Sequence, residues 1–209
     1  MTLPRHDGVI AWDFDGVLNR NVIDGRVVWP ATFTQDIGHP WESFETAIFG
    51  TGFDEVITGR VDLRDRLAAW ADAVGYGPGA DALLAYWFAR DALPDDDMLR
   101  MAAALEARGV RQVIATNNEA RRAAYIEREM GFATRVERIF ASGRMGVAKP
   151  DPVFFAQVTA DLDVAPARMV LIDDHAGNVA AARDCGWAAF HLTDESRGDL
   201  RAYLGLAEA

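Results

Sequence analysis

Short, fully apolar segments that alternate with amphipathic helical patterns constrain the fold of this chain more than any other feature. The segments that predict strands are Val9–Trp12, 110–116, 168–174 and 187–192, with 136–142 as a fifth. Between them, apolar residues recur at helical spacing, as in Met98, Met101 and Leu105. Strands that are apolar on both faces must be covered on both faces. The pattern therefore predicts an α/β fold with a Rossmann-like, three-layer parallel-sheet core.

Residues 20–93 interrupt this alternation. The segment carries several helical patterns, and Trp41, Trp70 and Trp87 lie on its apolar stripes. A single right-handed crossover between parallel strands needs far less chain than this. We therefore expect an α/β core made of residues 1–19 and 94–209, and a helical subdomain of residues 20–93 with its own hydrophobic core.

Composition excludes two classes of partner. The chain has 209 residues, a net charge of −11 and no basic patch, which argues against binding to nucleic acid. No apolar run approaches the ~18 residues needed to span a bilayer, so no membrane association is expected. The first residues lack a signal-peptide pattern and Cys185 is the single cysteine, so we expect a cytoplasmic protein. The sequence leaves the oligomeric state open.

Polar residues follow the predicted strands where each strand ends. They are Asp13 and Asp15 after the first strand, Thr116 and Asn117 after the second, Lys149 before a helix, and Asp173 and Asp174 after a later strand. In an open parallel sheet, ligands bind outside the carboxyl ends of the strands. These side chains are therefore expected to converge on one crevice.

The residue types in this crevice favour a cation and a phosphoryl group. Residues at i and i+2 of an extended chain point the same way, so Asp13 and Asp15 face the crevice together. Several carboxylates in one pocket repel one another strongly unless a cation is bound. Mg²⁺ binds carboxylate oxygens and bridges to phosphate, while Lys149 and Thr116 can contact phosphoryl oxygens. The sequence thus predicts a Mg²⁺ site for a phosphorylated ligand.

The order and spacing of these motifs resemble those of a known family. D-x-D-G-V at 13–17, T-N at 116–117, K-P-D-P at 149–152 and D-D at 173–174 are similar to the four motifs of the haloacid dehalogenase superfamily. The resemblance spans essentially the whole chain, and it is to the phosphatase branch with a helical cap inserted after the first motif. It implies a Mg²⁺-dependent hydrolase that acts on a small phosphorylated metabolite, such as a sugar phosphate or a nucleotide.

The resemblance also implies catalytic roles. Asp13 would be the nucleophile that takes the phosphoryl group as an aspartyl-phosphate. Asp15 would protonate the leaving alcohol and then deprotonate the attacking water. Lys149 would neutralise Asp13 and the phosphate. Dehalogenase relatives lack an aspartate two residues after the nucleophile, so Asp15 favours phosphate ester chemistry.

The same resemblance implies the ligand sets. Thr116 and Asn117 would hold the phosphoryl group. Asp13, the backbone carbonyl of Asp15 and Asp174 would bind Mg²⁺. Asp173 would be either a further metal ligand or a group that positions water or Lys149.

Several questions stay open at the level of sequence. A phosphomutase of the same superfamily would carry the same motifs, and a phospho-accepting signalling module also combines acidic residues, a threonine and a lysine. Asn178 either orients the loop of Asp174 or caps the following helix. In the helical subdomain, Trp29, His39 and Arg60 are candidate substrate contacts that no motif supports.

Overall fold

A computed structural model describes residues 8–23 and 26–206, and a parallel sheet lies at its centre. In chain order the strands are β1 (Val9–Trp12), β2 (Val22–Ile23), β3 (Arg26–Val27), β4 (Arg111–Thr116), β5 (Ile139–Ala141), β6 (Met169–Asp173) and β7 (Ala188–His191). Five of them form the main sheet in the order β5-β4-β1-β6-β7, and every neighbouring pair is parallel. Strands β2 and β3 form a separate antiparallel pair. The predicted α/β fold class is confirmed.

Helices complete the architecture. They are α1 (Phe33–Ile37), α2 (Trp41–Phe49), α3 (Phe53–Ile57), α4 (Leu63–Val74), α5 (Gly79–Arg90), α6 (Asp96–Glu106), α7 (Ala120–Arg128), α8 (Ser142–Met145), α9 (Pro152–Leu162), α10 (Ala176–Asp184) and α11 (Leu200–Tyr203). Within residues 8–23 and 26–206, none is both long and apolar enough to cross a bilayer.

The alternation of side chains along β1 divides the core into two layers. Ile10 and Trp12 belong to one hydrophobic cluster, which contains residues of α6, α7 and α11. Val9 and Ala11 point to the opposite face and belong to a second cluster, which contains residues of α9 and α10. Helices therefore cover both faces of the sheet, as strands apolar on both faces require.

The register of the central strands sets where the polar residues lie. Trp12 of β1 is opposite Ile114 of β4 on one side and Ile172 of β6 on the other. The residues that follow these three positions therefore leave the sheet at a common edge. That edge is the carboxyl end of the sheet, where parallel α/β folds bind ligands.

Helices α1 to α5 build a third hydrophobic cluster, which is rich in aromatic rings. The ring centroid of Phe44 lies 4.6 Å from that of Phe33 and 5.1 Å from that of Trp70. Glycines end two of these helices: α2 is followed by Gly50, and α4 is followed by Gly75 in the left-handed conformation. This cluster shares no buried member with the two clusters along the sheet.

The chain enters and leaves this helical part through two adjacent segments. The amide of Arg20 donates to the carbonyl of Leu93 at 2.7 Å. The side chain of Asn19 donates to the carbonyl of Asp91 at 2.7 Å and accepts from the amide of Leu93 at 2.7 Å. The side-chain nitrogen and the side-chain oxygen of buried Asn19 thus both bind the returning segment.

The separate aromatic cluster gives a test of the two-unit organisation. Phe44→Ala removes a buried ring and should lower the free energy of unfolding by about 3–5 kcal/mol. Hydrogen exchange should accelerate in α2 and α4 more than in β1 and β4. Val153→Ala removes methyl groups from a side chain that is 51% exposed, so it should change stability by less than about 0.5 kcal/mol. Equal acceleration in the sheet would contradict a separately folded helical unit.

Candidate active site

Asp13 follows β1 directly and is held at the edge of the sheet. Its amide donates to the carbonyl of Ile172 at 2.8 Å, which extends the pairing of β1 with β6. Its carboxylate Oδ1 accepts from the amide of Phe14 at 2.7 Å and lies 3.0 Å from Nζ of Lys149. The ring of Phe14 is fully buried against Phe132, at a centroid distance of 5.2 Å. Phe14 therefore anchors the turn in the core between the two aspartates.

Lys149 is a buried cation between two carboxylates. Its Nζ lies 2.6 Å from Oδ2 of Asp173 and 3.0 Å from Oδ1 of Asp13, and its side chain has no exposed surface. Burial by itself would lower the pKa of Lys149, but the charges of Asp13 and Asp173 outweigh it and raise the pKa. The lysine is therefore held in its charged form.

Asp173 is fully buried and its carboxylate is occupied by protein donors. Besides Lys149, it accepts from the backbone amide of His175 at 2.8 Å and from the side-chain amide of Asn178 at 3.1 Å on each oxygen. Burial opposes ionisation, but the charge of Lys149 and these hydrogen bonds hold the pKa of Asp173 below its usual range. Of the two roles expected for Asp173, the contacts favour positioning of Lys149. The N-cap of α10 is His175, so Asn178 lies inside the helix and does not cap it.

A cluster of three carboxylates could hold a metal ion. One oxygen each of Asp13, Asp173 and Asp174 lies within 4.8 Å of the others. Burial, with the charge of Asp173 next in size, raises the pKa of Asp13 well above its usual range, and the same two causes raise the pKa of Asp174. Lys149 balances only part of this negative charge. An all-carboxylate set of oxygen donors fits a hard cation such as Mg²⁺, which would restore the ionised forms.

Gly16 lets the backbone approach the metal cluster closely. Its φ is +78°, and a Cβ at this position would lie 2.1 Å from Oδ2 of Asp174. Any side chain would therefore displace the Asp174 carboxylate. The position after the D-x-D motif therefore requires glycine for two reasons: the positive φ and the lack of space for a side chain.

Asp15 is fixed by three asparagine amides. Oδ1 accepts from Nδ2 of Asn19 at 3.0 Å and from Nδ2 of Asn21 at 2.8 Å. Oδ2 accepts from Nδ2 of Asn118 at 2.8 Å, and the same amide group lies 2.8 Å from the Thr116 hydroxyl. Hydrogen bonds from neutral donors therefore orient the Asp15 carboxylate, whereas the Asp13 carboxylate forms an ion pair with a lysine.

The side chain of Asn117 is bound to the backbone of Lys149. Its side chain donates to the carbonyl of Lys149 at 2.7 Å and accepts from the amide of Lys149 at 2.9 Å. The side-chain amide of Asn117 thus holds the loop of Lys149. Thr116 is buried at the end of β4 with its hydroxyl toward Asn118.

Sequence reasoning missed the polar network behind Asp15. Nδ2 of Asn21 contacts Oδ1 of Asp91 at 2.7 Å as well as Asp15, and Arg122 lies 3.2 Å from Oδ2 of Asp91. Burial, followed by the charge of Asp15, raises the pKa of Asp91 to about 7, against the lowering effect of Arg122. These contacts join residues 31 and 70 positions apart, so local pattern could not reveal them. The repeated asparagines in L-N-R-N at 18–21 were the available signal.

A cavity of about 250 Å³ adjoins Asp15 on the side of the helical part. We call it the aromatic pocket, after the rings that line it: Trp29, Trp41, Phe49, Phe53, Trp87 and Phe88. Of the three candidate substrate contacts, Trp29 lies in this lining. The ring of His39 packs on Trp70 at 5.6 Å, and exposed Arg60 pairs with Asp54 at 3.4 Å.

Comparison of the chain with known proteins identifies related sequences. The model of a family described as haloacid dehalogenase-like hydrolase matches residues 8–186. A curated sesquiterpene phosphatase from Aspergillus oryzae is 28% identical over 187 residues, which cover 88% of this chain and 88% of that protein. All four motifs lie within the matched residues.

Solved structures show the same fold. A predicted HAD-like family hydrolase from Porphyromonas gingivalis superposes with a TM-score of 0.76 at 17% identity, covering 97% of this chain and 98% of that one. A HAD family enzyme from Bacteroides thetaiotaomicron, in complex with magnesium and inorganic phosphate, gives a TM-score of 0.70 at 19% identity, covering 89% and 94%.

The close approach at Gly16 generates a prediction about metal binding. Gly16→Ala should weaken Mg²⁺ binding about tenfold or more, ~1.4 kcal/mol, because the new Cβ displaces Asp174. Isothermal titration calorimetry with MgCl₂ measures the change.

Gly38→Ala is the matched control for this substitution. Gly38 has the same φ of +78°, but a Cβ there meets nothing within 4 Å. The control therefore introduces the same backbone strain and should leave the Mg²⁺ affinity unchanged. If both variants bind Mg²⁺ like the unmodified protein, Asp174 is not a metal ligand.

Proposed function

This chain belongs to the haloacid dehalogenase-like hydrolase family, and we propose that it is a Mg²⁺-dependent phosphatase that works through a phospho-aspartyl intermediate on Asp13. The chain is a hydrolase of phosphate esters, and the relative from Aspergillus oryzae carries the name of a phosphatase. The observation that carries the proposal is the pair Asp13 and Asp15, one paired with a buried lysine and the other held by three amides. The two carboxylates thus have different surroundings and can take different roles.

The proposed reaction consists of two displacements at phosphorus. In the first, a carboxylate oxygen of Asp13 forms a bond to phosphorus, the bond from phosphorus to the ester oxygen breaks, and Asp15 gives its proton to the leaving alcohol. In the second, Asp15 takes a proton from water, whose oxygen attacks the same phosphorus. The bond to Asp13 breaks, inorganic phosphate leaves and both carboxylates return to their starting forms.

The cation site fits this reaction. Asp13, Asp174 and the backbone carbonyl of Asp15 are the groups proposed to hold Mg²⁺. When bound, the ion would neutralise negative charge on the phosphoryl oxygens and on the carboxylates that hold it. Asp173 acts on Lys149 in this proposal, because its oxygens already accept from Lys149, His175 and Asn178.

The remaining residues bind and orient. Lys149 offsets the charge of Asp13 and the transferring group, and Asn117 fixes the backbone of Lys149. The Thr116 hydroxyl lies at the end of β4, where it can contact a phosphoryl oxygen. Residues 20–93 are proposed to act as a cap that excludes water and contacts the leaving group, since the aromatic pocket lies between them and Asp15.

The nucleophile and the metal give the first test. Asp13→Asn should lower kcat for p-nitrophenyl phosphate by at least ~10³-fold, and EDTA should abolish turnover until Mg²⁺ is restored. Asp72→Asn, an exposed position on α4, should leave kcat unchanged. Activity that survives Asp13→Asn, or that ignores metal removal, would refute the mechanism. A protein that accepts phosphate from acetyl phosphate and keeps it for minutes would instead be a signalling module.

The amides around Asp15 give a second test. Asp15→Asn should slow esters of poor leaving groups by about 10²–10⁴-fold and good ones much less, because only poor leaving groups need the proton. Asn21→Ala removes one of the three donors to Asp15 and should produce the same trend at about tenfold, ~1.4 kcal/mol. A series of substituted phenyl phosphates measures the dependence of kcat/KM on the pKa of the leaving phenol. An unchanged dependence in Asn21→Ala would show that Asn21 does not position the acid.

A further inference from the structure

We infer that the aromatic pocket selects the monophosphate of an apolar aliphatic or alicyclic alcohol over phosphates of sugars, nucleosides and diphosphates. The inference rests on the proposed function, since it places the leaving alcohol beside Asp15. The pocket meets that requirement because Asp15, Asn118 and the six aromatic rings border the same cavity. An alcohol bound there would present its ester oxygen to the carboxylate that protonates it.

Contacts between aromatic rings build the apolar wall of the pocket. Phe49 lies at ring-centroid distances of 4.9 Å from Phe53 and 5.1 Å from Trp87, and Trp87 stacks on Trp29 at 5.2 Å. These contacts hold the rings in place at the cavity surface. Trp41, Phe49, Phe53 and Trp87 nevertheless stay partly exposed. Covering such surface with an apolar group is favourable by about 25 cal/mol per Å².

The asparagine side chains beside Asp15 are already paired with neighbouring groups of the pocket. Asn21 donates to Asp15 and Asp91, and Asn118 donates to Asp15 and Thr116. These bonds leave little capacity to replace the water bonds of a sugar hydroxyl. Each buried hydroxyl without a partner costs about 1–3 kcal/mol, so a polyhydroxylated alcohol is rejected.

Both terminal nitrogens of Arg122 are also engaged by the protein, while its Nε is buried without a partner among the described residues. Arg122 donates to the carbonyls of Phe88 and Asp91, both at 2.9 Å, and its guanidinium lies 5.3 Å from the ring of Phe88. It therefore joins the end of α5 to α7 and is not free to meet a phosphate.

The charge of the lining excludes a second phosphate. Among the described residues around the cavity, Arg122 is the one cation and its side chain is only 4% exposed. Asp15, Asp91, Glu45 and Glu119 are acidic members of the same lining. A diphosphate or a nucleotide would bring additional negative charge to this surface without a counter-charge.

The volume of the aromatic pocket limits the size of the alcohol. A cavity of ~150 Å³ holds one benzene molecule, so a cavity of about 250 Å³ has room for roughly ten carbon atoms. The expected substrate is therefore a monophosphate with one apolar group of about that size or longer, with any excess toward the solvent.

Substrate competition tests the inference with the full chain and Mg²⁺. The substrates are decyl phosphate, geranyl phosphate, geranyl diphosphate, glucose 6-phosphate, adenosine monophosphate and p-nitrophenyl phosphate. We expect kcat/KM for decyl or geranyl phosphate to exceed that for glucose 6-phosphate by about 100-fold or more, the effect of two unpaired hydroxyls. Comparable values for glucose 6-phosphate, adenosine monophosphate or geranyl diphosphate would overturn the inference.

Variants locate the selectivity in the pocket. Phe49→Ser should raise KM for decyl phosphate about tenfold more than KM for glucose 6-phosphate, because it removes apolar surface from the wall. Tyr76→Ser changes a half-buried ring of the same aromatic cluster outside the pocket lining and should not alter the ratio. An unchanged ratio in Phe49→Ser would contradict the inference.

A binding measurement separates this inference from the proposed function. Decanol carries no phosphate, so its binding, measured by isothermal titration calorimetry, reports on the pocket without turnover. Binding of decanol that is weakened in Phe49→Ser supports the apolar site, and absence of decanol binding overturns it. Failure to hydrolyse p-nitrophenyl phosphate refutes the phosphatase mechanism and leaves the decanol result as an independent finding.

Discussion

The buried ion pairs of Lys149 are the interaction on which the site depends. A lysine with no exposed surface is stable only when charges of opposite sign surround it. Asp13 and Asp173 supply them from neighbouring strands, and Asn117 and Asn178 hold the lysine backbone and the second carboxylate. The parallel register of β1 and β6 brings the two aspartates to one edge. The strand pairing therefore determines the electrostatics of the crevice.

A second network connects the site to the helical part. Asn19 and Asn21 lie where the chain leaves the core, and both donate to the carboxylate of Asp15. The same two asparagines donate to Asp91, where the chain returns. Any change in the angle between the helical part and the sheet acts on these hydrogen bonds. The geometry of Asp15 is thereby linked to the position of the helices that line the aromatic pocket.

Sequence pattern was most informative where chemistry is local. Apolar periodicity predicted the strands of the main sheet, and i, i+2 alternation predicted that Asp13 and Asp15 face one side, with which the burial of Phe14 between them agrees. It was least informative where partners are distant along the chain. The engagement of Asn117 by Lys149 spans 32 positions, and the pairing of Asn21 with Asp91 spans 70. Neither leaves a periodic signal, because each depends on how separate loops meet.

The sequence by itself determined the fold class and the collection of carboxylates and lysine at one edge, since both follow from hydrophobic periodicity and from the polar residues at strand ends. Only the tertiary structure decided which oxygens are occupied by protein donors and which rings face the cavity beside Asp15. The apolar stripes of residues 20–93 look alike whether they pack in a core or line a pocket, because both require the same hydrophobic side chains. Only the positions of these helices in space show which side chains pack in the core and which line the pocket.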